Sequence, residues 1–239
     1  YNTTGQTQSK FSVEDRFNFL SMLTQMLIFK KSKSLIVLGS GGIGKTRTVM
    51  DEIKGANLKN NELQVVRSYS TPRGLYNLLF DHNGKLLVFD DTDSILTDTV
   101  SQNILKSALD SHDTRLISWA AKMSKGDEYP QEFVFNGRII FISNKNKNNI
   151  FQPLLTRSKI VDLELSPSEK IDRMWQILPS VCEENRISEK KGEMGIEFIR
   201  KHMKVAKELS LRTLLDVVEI IKAYPENWKG LAEYTITEG

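Results

Sequence analysis

The sequence has little of what an extracellular or membrane-bound protein needs. One cysteine, Cys182, excludes an intramolecular disulfide, and we expect it to be a buried structural thiol in a reducing compartment. The longest apolar run near the start, FLSMLTQMLIF (19–29), is interrupted by polar residues. It is shorter than the ~20 residues of a membrane span, and its flanking charges run opposite to those of a signal peptide. We therefore predict a soluble, cytoplasmic protein that does not associate with membranes.

An excess of charge of one sign is also lacking. Lys and Arg number 33 and Asp and Glu 30, a formal net charge of +3. Any basic surface for nucleic acid would therefore have to be local. His82, His112 and His202 are scattered without metal-ligand spacing, so no zinc site is expected.

What the chain does have is a series of short apolar strands that alternate with helical segments. The predicted strands are 34–38, 62–70, 85–91, 137–143 and 159–165. Such an alternation is typical of an α/β fold with a parallel sheet. After Leu165 every segment has helical periodicity. We therefore predict an α/β nucleotide-binding core over 1–165 and a small all-helical domain over 166–239.

The strongest motif, GSGGIGKT (39–46), matches G-x-x-x-x-G-K-[ST] between a predicted strand and a predicted helix. Its glycines let consecutive N–H groups turn inward around phosphates, and the helix N-terminus adds its positive dipole end. Lys45 can reach the β- and γ-phosphates, and the Thr46 hydroxyl can ligate Mg²⁺. The predicted nucleotide-binding residues of this phosphate loop are Gly39, Ser40, Gly41, Gly42, Ile43, Gly44, Lys45 and Thr46.

A second motif, LLVFDD (86–91), places two carboxylates at the end of a buried strand. We expect Asp90 to hold Mg²⁺ through water and Asp91 to polarise the attacking water. Asp93 is a competing candidate for the base.

These pieces and their order resemble the AAA+ ATPases over nearly all of residues 12–239. The resemblance implies an ATP- and Mg²⁺-dependent enzyme whose five-stranded core is followed by a helical lid. In that family the fourth strand lies between the phosphate-loop strand and the acidic strand and ends in a polar residue called sensor 1. Here IIFISN supplies Asn144, whose amide can orient the attacking water.

Two arginines match further positions of the family. LLTRSKI places Arg157 where clamp-loader-like members carry an arginine finger that reaches the neighbouring subunit's γ-phosphate. The alternative is a surface arginine that caps a helix end. LSLRTLL places Arg212 at the sensor 2 position of a lid helix, with Ser210 as the helix cap. A true finger implies a homo-oligomer, most often a hexamer in such families.

The segment RLISWAAKMSKGDEYPQEFVF (115–135) predicts a β-hairpin inserted before sensor 1. A hairpin there resembles, more loosely, the branch that includes the superfamily 3 viral helicases. Trp119, Lys122, Lys125 and Tyr129 could bind a nucleic acid strand, although Asp127 and Glu128 oppose this. Alternatively, the aromatic residues could pack on a neighbouring subunit.

The function we expect is therefore that of an oligomeric ATPase that translocates on or remodels nucleic acid, as a helicase, a helicase loader or a packaging or replication motor. Its compact size suits a phage protein. One alternative is an ATP-driven protein remodeller. Another is a nucleotide-dependent assembly scaffold with slow hydrolysis, since Asp91 replaces the Glu of most relatives.

Overall fold

A computed structural model describes residues 9–59, 61–67, 71–119 and 128–239 of the chain. These residues form two compact units. We call residues 17–40 and 45–164 the sheet unit. The helical unit consists of residues 165–239, the short segment 41–44 and the described residues up to Arg16. The domain division near residue 165 stays a prediction.

A five-stranded, wholly parallel sheet is the centre of the sheet unit, and a two-stranded hairpin accompanies it. The strands in chain order are β1 (Ser34–Leu38), β2 (Leu63–Val66), β3 (Leu86–Asp90), β4 (Leu116–Ser118), β5 (Glu132–Val134), β6 (Arg138–Ile142) and β7 (Lys159–Asp162). The order in the large sheet is β2-β3-β6-β1-β7. β1, β3 and β6 are buried at every position, as expected for central parallel strands covered on both faces. The predicted sheet is confirmed, with β6 between β1 and β3.

In the described ranges, six helices lie wholly or mainly in the sheet unit. They are α1 (Val13–Ile28), α2 (Lys45–Gly55), α3 (Pro72–Asp81), α4 (Asp93–Thr97), α5 (Thr99–Ala108) and α6 (Gln152–Arg157). Thr71 caps α3 by accepting from the Gly74 N–H, and Pro72 lies in the first turn. Helices α4 and α6 were not predicted, because five and six residues are too few to show a helical period.

Two buried arginines donate hydrogen bonds to the last carbonyls of helices in the sheet unit. Arg138 at the start of β6 donates to the carbonyls of Leu27 and Ile28 at the end of α1, at 2.5 and 3.0 Å. Arg115 donates to the Ala108 carbonyl at the end of α5, at 2.8 Å. The last carbonyls of a helix have no partner within the helix, so these guanidinium groups fix α1 and α5 against the sheet.

The hairpin of β4 and β5 is antiparallel, with Ile117 opposite Phe133, and ends just before β6. The predicted hairpin is confirmed at its base, whereas its tip, including Lys122, Lys125 and Asp127, lies outside the described residues. The guanidinium carbon of Arg73 on α3 lies 5.2 Å from the ring centre of Trp119 and 5.7 Å from that of Tyr129.

Hydrogen bonds add to this contact between the hairpin and α3. The Tyr129 hydroxyl donates to Asp81 at 3.0 Å, and the Tyr76 hydroxyl donates to the Pro130 carbonyl at 2.7 Å. The hairpin aromatic residues Trp119 and Tyr129 therefore pack on α3 of their own chain, an arrangement that neither interpretation of the sequence had included.

Four helices lie wholly within the described part of the helical unit: α7 (Pro167–Asn185), α8 (Glu189–His202), α9 (Leu211–Ala223) and α10 (Trp228–Thr237). Ser166 and Glu169 form a reciprocal capping box at the start of α7, and Ser210 caps α9 as predicted. The buried Cys182 belongs to the apolar core of these helices. Among the described residues, no helix is long and apolar enough to cross a membrane.

Gly192 on α8 marks a close approach of α7. A Cβ added there would lie 2.6 Å from Leu178 Cδ1 and 2.7 Å from Cys182 Sγ. We expect Gly192→Ala to lower the free energy of unfolding by about 1–3 kcal/mol because the buried neighbours must shift. Gly230→Ala on α10 is the matched control, since nothing lies within 4 Å of its added Cβ. It should stabilise the helix by about 0.5–1 kcal/mol. Urea denaturation measures both, and equal effects would contradict the close packing at Gly192.

Candidate nucleotide-binding and hydrolysis site

The phosphate loop follows β1, and its glycines have backbone conformations that other residues rarely adopt. Gly39, Gly42 and Gly44 have φ angles of 134°, 69° and 95°. At Gly39 a Cβ would also lie 2.6 Å from the Leu163 carbonyl carbon. Gly39 is therefore required by both conformation and space, and Gly42 and Gly44 are required by conformation.

Lys45, the first residue of α2, points its ammonium group back into the loop. Its Nζ donates to the carbonyls of Gly39 and Ser40, at 2.7 and 2.8 Å, and to Asn144 Oδ1 at 2.9 Å. Burial lowers the pKa of Lys45 from 10.5 to about 8, although nearby carboxylates, Asp91 first, act to raise it. Lys45 is therefore held in a position for an anionic ligand, with a pKa near physiological pH.

Ser40 is an orphaned polar group of the loop. Its buried hydroxyl oxygen has no hydrogen-bond partner among the described residues. A buried hydroxyl without a partner is costly, and a ligand with acceptor oxygens would satisfy it. Ser40 thus supports the assignment of this loop as a phosphate site.

Thr46 and Asp90 form the candidate metal site. The Thr46 hydroxyl donates to Asp90 Oδ1 at 2.7 Å, and the Asp90 side chain is 8% exposed. A hydroxyl and a carboxylate oxygen are donors that Mg²⁺ uses when it also binds nucleotide phosphates. The two residues therefore fit the ion. No group of three or more His, Cys, Asp or Glu side chains suited to a metal occurs in the described ranges.

Asn144, directly beyond β6, joins the loop to the acidic strand. Its Nδ2 donates to Asp91 Oδ1 at 2.8 Å while its Oδ1 accepts from Lys45. Asp91 has a φ of 55°, an uncommon conformation for a residue other than glycine, and its N–H donates to the Ile142 carbonyl at 3.3 Å. The backbone therefore turns sharply at the end of β3 and places the exposed Asp91 carboxylate beside Asn144.

Asp93, the competing base, lies in a different environment. The buried Ser143 hydroxyl donates to Asp93 Oδ1 at 2.5 Å and accepts from the Lys145 N–H at 3.0 Å. This bond holds Asp93 at the start of α4, whereas Asp91 lies against the candidate sensor. The geometry favours Asp91 as the base.

Arg157, the candidate finger, lies at the end of the sheet opposite the loop. It precedes Lys159, which pairs with Leu35 near the start of β1, whereas Gly39 follows the last residue of β1. Arg157 donates to the Pro153 carbonyl at 3.1 Å and lies 3.9 Å from Asp110. This contact with its own helix matches the capping alternative. The length of the strand β1, about 17 Å, separates Arg157 from the phosphate loop of its own chain.

Arg212, the candidate sensor 2, lies in the first turn of α9 in the helical unit. The loop residues Gly41–Gly44 belong to that unit, and the Gly42 carbonyl accepts from the Leu211 N–H at 2.7 Å. A Cβ on Gly42 would lie 3.9 Å from Arg212 Cγ. The structure thus brings the exposed Arg212 beside the segment Gly41–Gly44.

Two other arginines near the motif were missed from the sequence. Arg67, just beyond β2, lies 3.4 Å from Asp90 Oδ2 through its Nε. Arg173 on α7 places its NH2 nitrogen 3.7 Å from a Cβ added at Gly44. Arg67 could have been found, because it ends a strand whose carboxyl end lies at the same sheet edge as Asp90. No sequence signal pointed to Arg173.

Comparison with known proteins gives a consistent picture of the fold. The sequence is 27% identical over 241 residues to an uncharacterized 36.7 kDa protein from the nrdC-mobD intergenic region of Enterobacteria phage T4, covering 93% of this chain and 74% of that protein. No protein-family model matches the sequence.

Several solved structures are similar over most of the chain. The RuvB Holliday junction branch migration motor of Thermotoga maritima has a TM-score of 0.55 at 14% identity, over 88% of this chain and 61% of that one. NtrX from Brucella abortus, in complex with ATP, has a TM-score of 0.59 at 14% identity, over 97% and 55%. Domain III of the replication initiation protein DnaA of T. maritima has a TM-score of 0.55 at 15% identity, over 98% and 100%.

The chain therefore spans about three fifths of the RuvB length and the whole of DnaA domain III. At these identities the likeness concerns the fold. It agrees with the strand order, the phosphate loop after β1 and the helices after β7. The resemblance stated from the motifs is confirmed: this chain has the fold of the AAA+ P-loop ATPases.

Proposed function

We propose that the protein is an oligomeric ATPase that couples Mg²⁺–ATP hydrolysis to translocation on, or remodelling of, nucleic acid. The observation that carries the proposal is the hydrogen-bonded series Lys45–Asn144–Asp91 beside the Thr46–Asp90 pair. An ammonium group, a carboxylate and two further oxygen donors lie at one edge of the sheet, which supports roles in binding phosphate, activating water and holding a metal.

Each of these groups has a distinct role in the proposed reaction. Lys45 and the loop N–H groups bind the β- and γ-phosphates, and Ser40 donates its hydroxyl to a phosphate oxygen. Asp91 accepts the proton of the attacking water, which Asn144 orients. Thr46 and Asp90 would hold Mg²⁺, which supplies neutralisation of the charge on the phosphates. Arg212 is proposed as the lid residue that contacts the same nucleotide.

The position of Arg157 supports a shared site. An arginine at the amino end of the strands cannot reach phosphates bound at the carboxyl end of the same sheet. A second copy in a head-to-tail ring can bring its Arg157 to that site, since such interfaces join two different faces of the protein. We therefore propose a homo-oligomer, by analogy a hexamer.

Nucleic acid is the proposed substrate because RuvB and DnaA, two of the proteins with a similar fold, are by name a branch migration motor and a replication initiation protein. The likeness to the phage T4 protein supports a phage origin. On this chain, Lys145 and Lys147 lie in the loop that follows Asn144 and could contact a strand. A protein-remodelling role and a slow assembly scaffold are the other outcomes of the test below.

The first test is steady-state ATP hydrolysis across protein concentration, with and without single- and double-stranded DNA at low salt. We expect turnover per subunit to rise with concentration, because Arg157 must come from a neighbour, and to rise again with DNA. Low salt preserves the phosphate contacts that DNA binding depends on. A rise with concentration alone would favour a protein substrate. ATP binding without turnover would favour the scaffold.

The lowered pKa of Lys45 predicts a pH dependence of ATP binding. Phosphate anions favour the charged amine, so bound ATP raises the pKa of Lys45 above its free value of about 8. Above pH 8 the free protein has lost this proton, and binding must take one up. Affinity should therefore fall as pH rises from 8 to 9, by up to about tenfold.

Calorimetry in buffers of different ionisation enthalpy measures this proton uptake directly. Lys45→Arg is the control, because its guanidinium remains charged throughout this range. If wild-type protein takes up no proton between pH 8 and 9, Lys45 does not contact the phosphates.

The shared site predicts complementation between two inactive variants. Asp91→Asn should retain ATP binding and lower turnover by at least about 100-fold, because the base is lost. Arg157→Ala should lower turnover by about 1,000-fold or more, because the cation that the neighbouring subunit contributes is lost. In an equal mixture about one interface in four contains both intact groups, so turnover should return to about a quarter of wild type.

Asp93→Asn is the matched control for the base. Because Asp93 is bonded to Ser143 and is not the proposed base, the Asp93→Asn protein should keep most of its turnover on its own. Loss of turnover with retained ATP binding in Asp93→Asn, instead of in Asp91→Asn, would assign the base to Asp93. Absence of recovery in every mixture would contradict the intersubunit role of Arg157.

A further inference from the structure

Arg67 is a cation at the candidate metal site to which the proposed reaction gives no role. It directly follows β2, where Val66 pairs with Phe89 of β3, so Arg67 lies beside Asp90. Its Nε lies 3.4 Å from Asp90 Oδ2, while Asp90 Oδ1 accepts from Thr46. One oxygen of the Asp90 carboxylate therefore accepts from Thr46, and the other lies beside Arg67.

The burial of the two partners is very unequal. The Arg67 side chain is 65% exposed and that of Asp90 is 8% exposed. A buried carboxylate needs a countercharge or hydrogen-bond donors, whereas an exposed arginine keeps its hydration when the pair separates. Arg67 can thus leave at low cost, but only when another cation replaces it at Asp90.

Mg²⁺ is such a cation, and the two ligands exclude each other. The ion needs a nearly octahedral set of oxygen ligands that includes water molecules around Asp90. A guanidinium group on Asp90 Oδ2 occupies part of that space and repels a divalent cation. We propose that Arg67 competes with Mg²⁺ for Asp90: it neutralises the carboxylate in the metal-free protein and releases it when the ion binds. This inference rests on the proposed function, specifically on Asp90 as the metal carboxylate.

Competition has a measurable consequence for the affinity of the metal. Without Arg67 the ion displaces no cation, so the Arg67→Gln protein should bind it more tightly. Exposed ion pairs are weak, and we therefore expect the half-saturating metal concentration to fall about threefold. Arg67→Lys keeps a positive charge and should stay within about a factor of two of wild type.

The experiment measures Mn²⁺ binding to the full chain in the presence of ADP. Binding is monitored through the decrease in the electron paramagnetic resonance signal of the free ion. Arg200→Gln is the matched control. Arg200 is also mostly exposed, at 61%, and pairs with one carboxylate, Glu197, at 3.3 Å. It should leave Mn²⁺ binding unchanged. Thermal melting shows that each variant is folded.

The result that would overturn the proposal is unchanged or weaker Mn²⁺ binding by Arg67→Gln. Asp90→Asn separates this from a failure of the proposed function. If Asp90→Asn abolishes binding and Arg67→Gln leaves it unchanged, only the competition is wrong. If Asp90→Asn binds Mn²⁺ like wild type, the assignment of the metal site itself is wrong.

Discussion

The hydrogen bonds of one amide, Asn144, are the interaction on which the arrangement of the site depends. The amide donates to Asp91 and accepts from Lys45, so it joins the residues that follow β6, β3 and β1. This is possible because β6 lies between the other two strands and all three run parallel. Carboxyl ends of adjacent parallel strands meet at one sheet edge, where open α/β sheets bind their ligands. The order of strands thus determines the distance between cation and carboxylate.

A part of this site could be predicted from the sequence only where residues close together in the chain determine it. The phosphate loop was predictable residue by residue, because glycine and lysine chemistry at fixed spacing leaves few alternatives. Asn144 could be singled out only through the resemblance, since nothing in IIFISN says which strands lie beside it. The choice between Asp91 and Asp93 was open for the same reason. The partner that distinguishes them, Ser143, follows the end of β6, 50 residues away from Asp93.

The hairpin shows a different limit of sequence-based prediction. Trp119 and Tyr129 were expected to face nucleic acid or another subunit, yet both lie against Arg73 of α3. Aromatic residues next to cations are typical of strand-binding surfaces and of cation–π contacts within one chain alike. Composition cannot distinguish a strand-binding surface from contacts within one chain, because the outcome depends on which helix covers the hairpin.

The charges around Lys45 link the proposed metal ion to the proposed binding of a nucleotide. Asp90, Asp91, Asp93 and Glu164 all act on Lys45, and the cations placed near them are Lys45 and Arg67. The carboxylates alone would repel a triphosphate. A divalent ion held by Thr46 and Asp90 would offset their excess charge and so favour the binding of phosphates. If Arg67 leaves Asp90 as the ion arrives, the positive charge beside this carboxylate rises by one unit instead of two. Asp90 then has a cation beside it in either state, so its buried charge is not left unpaired.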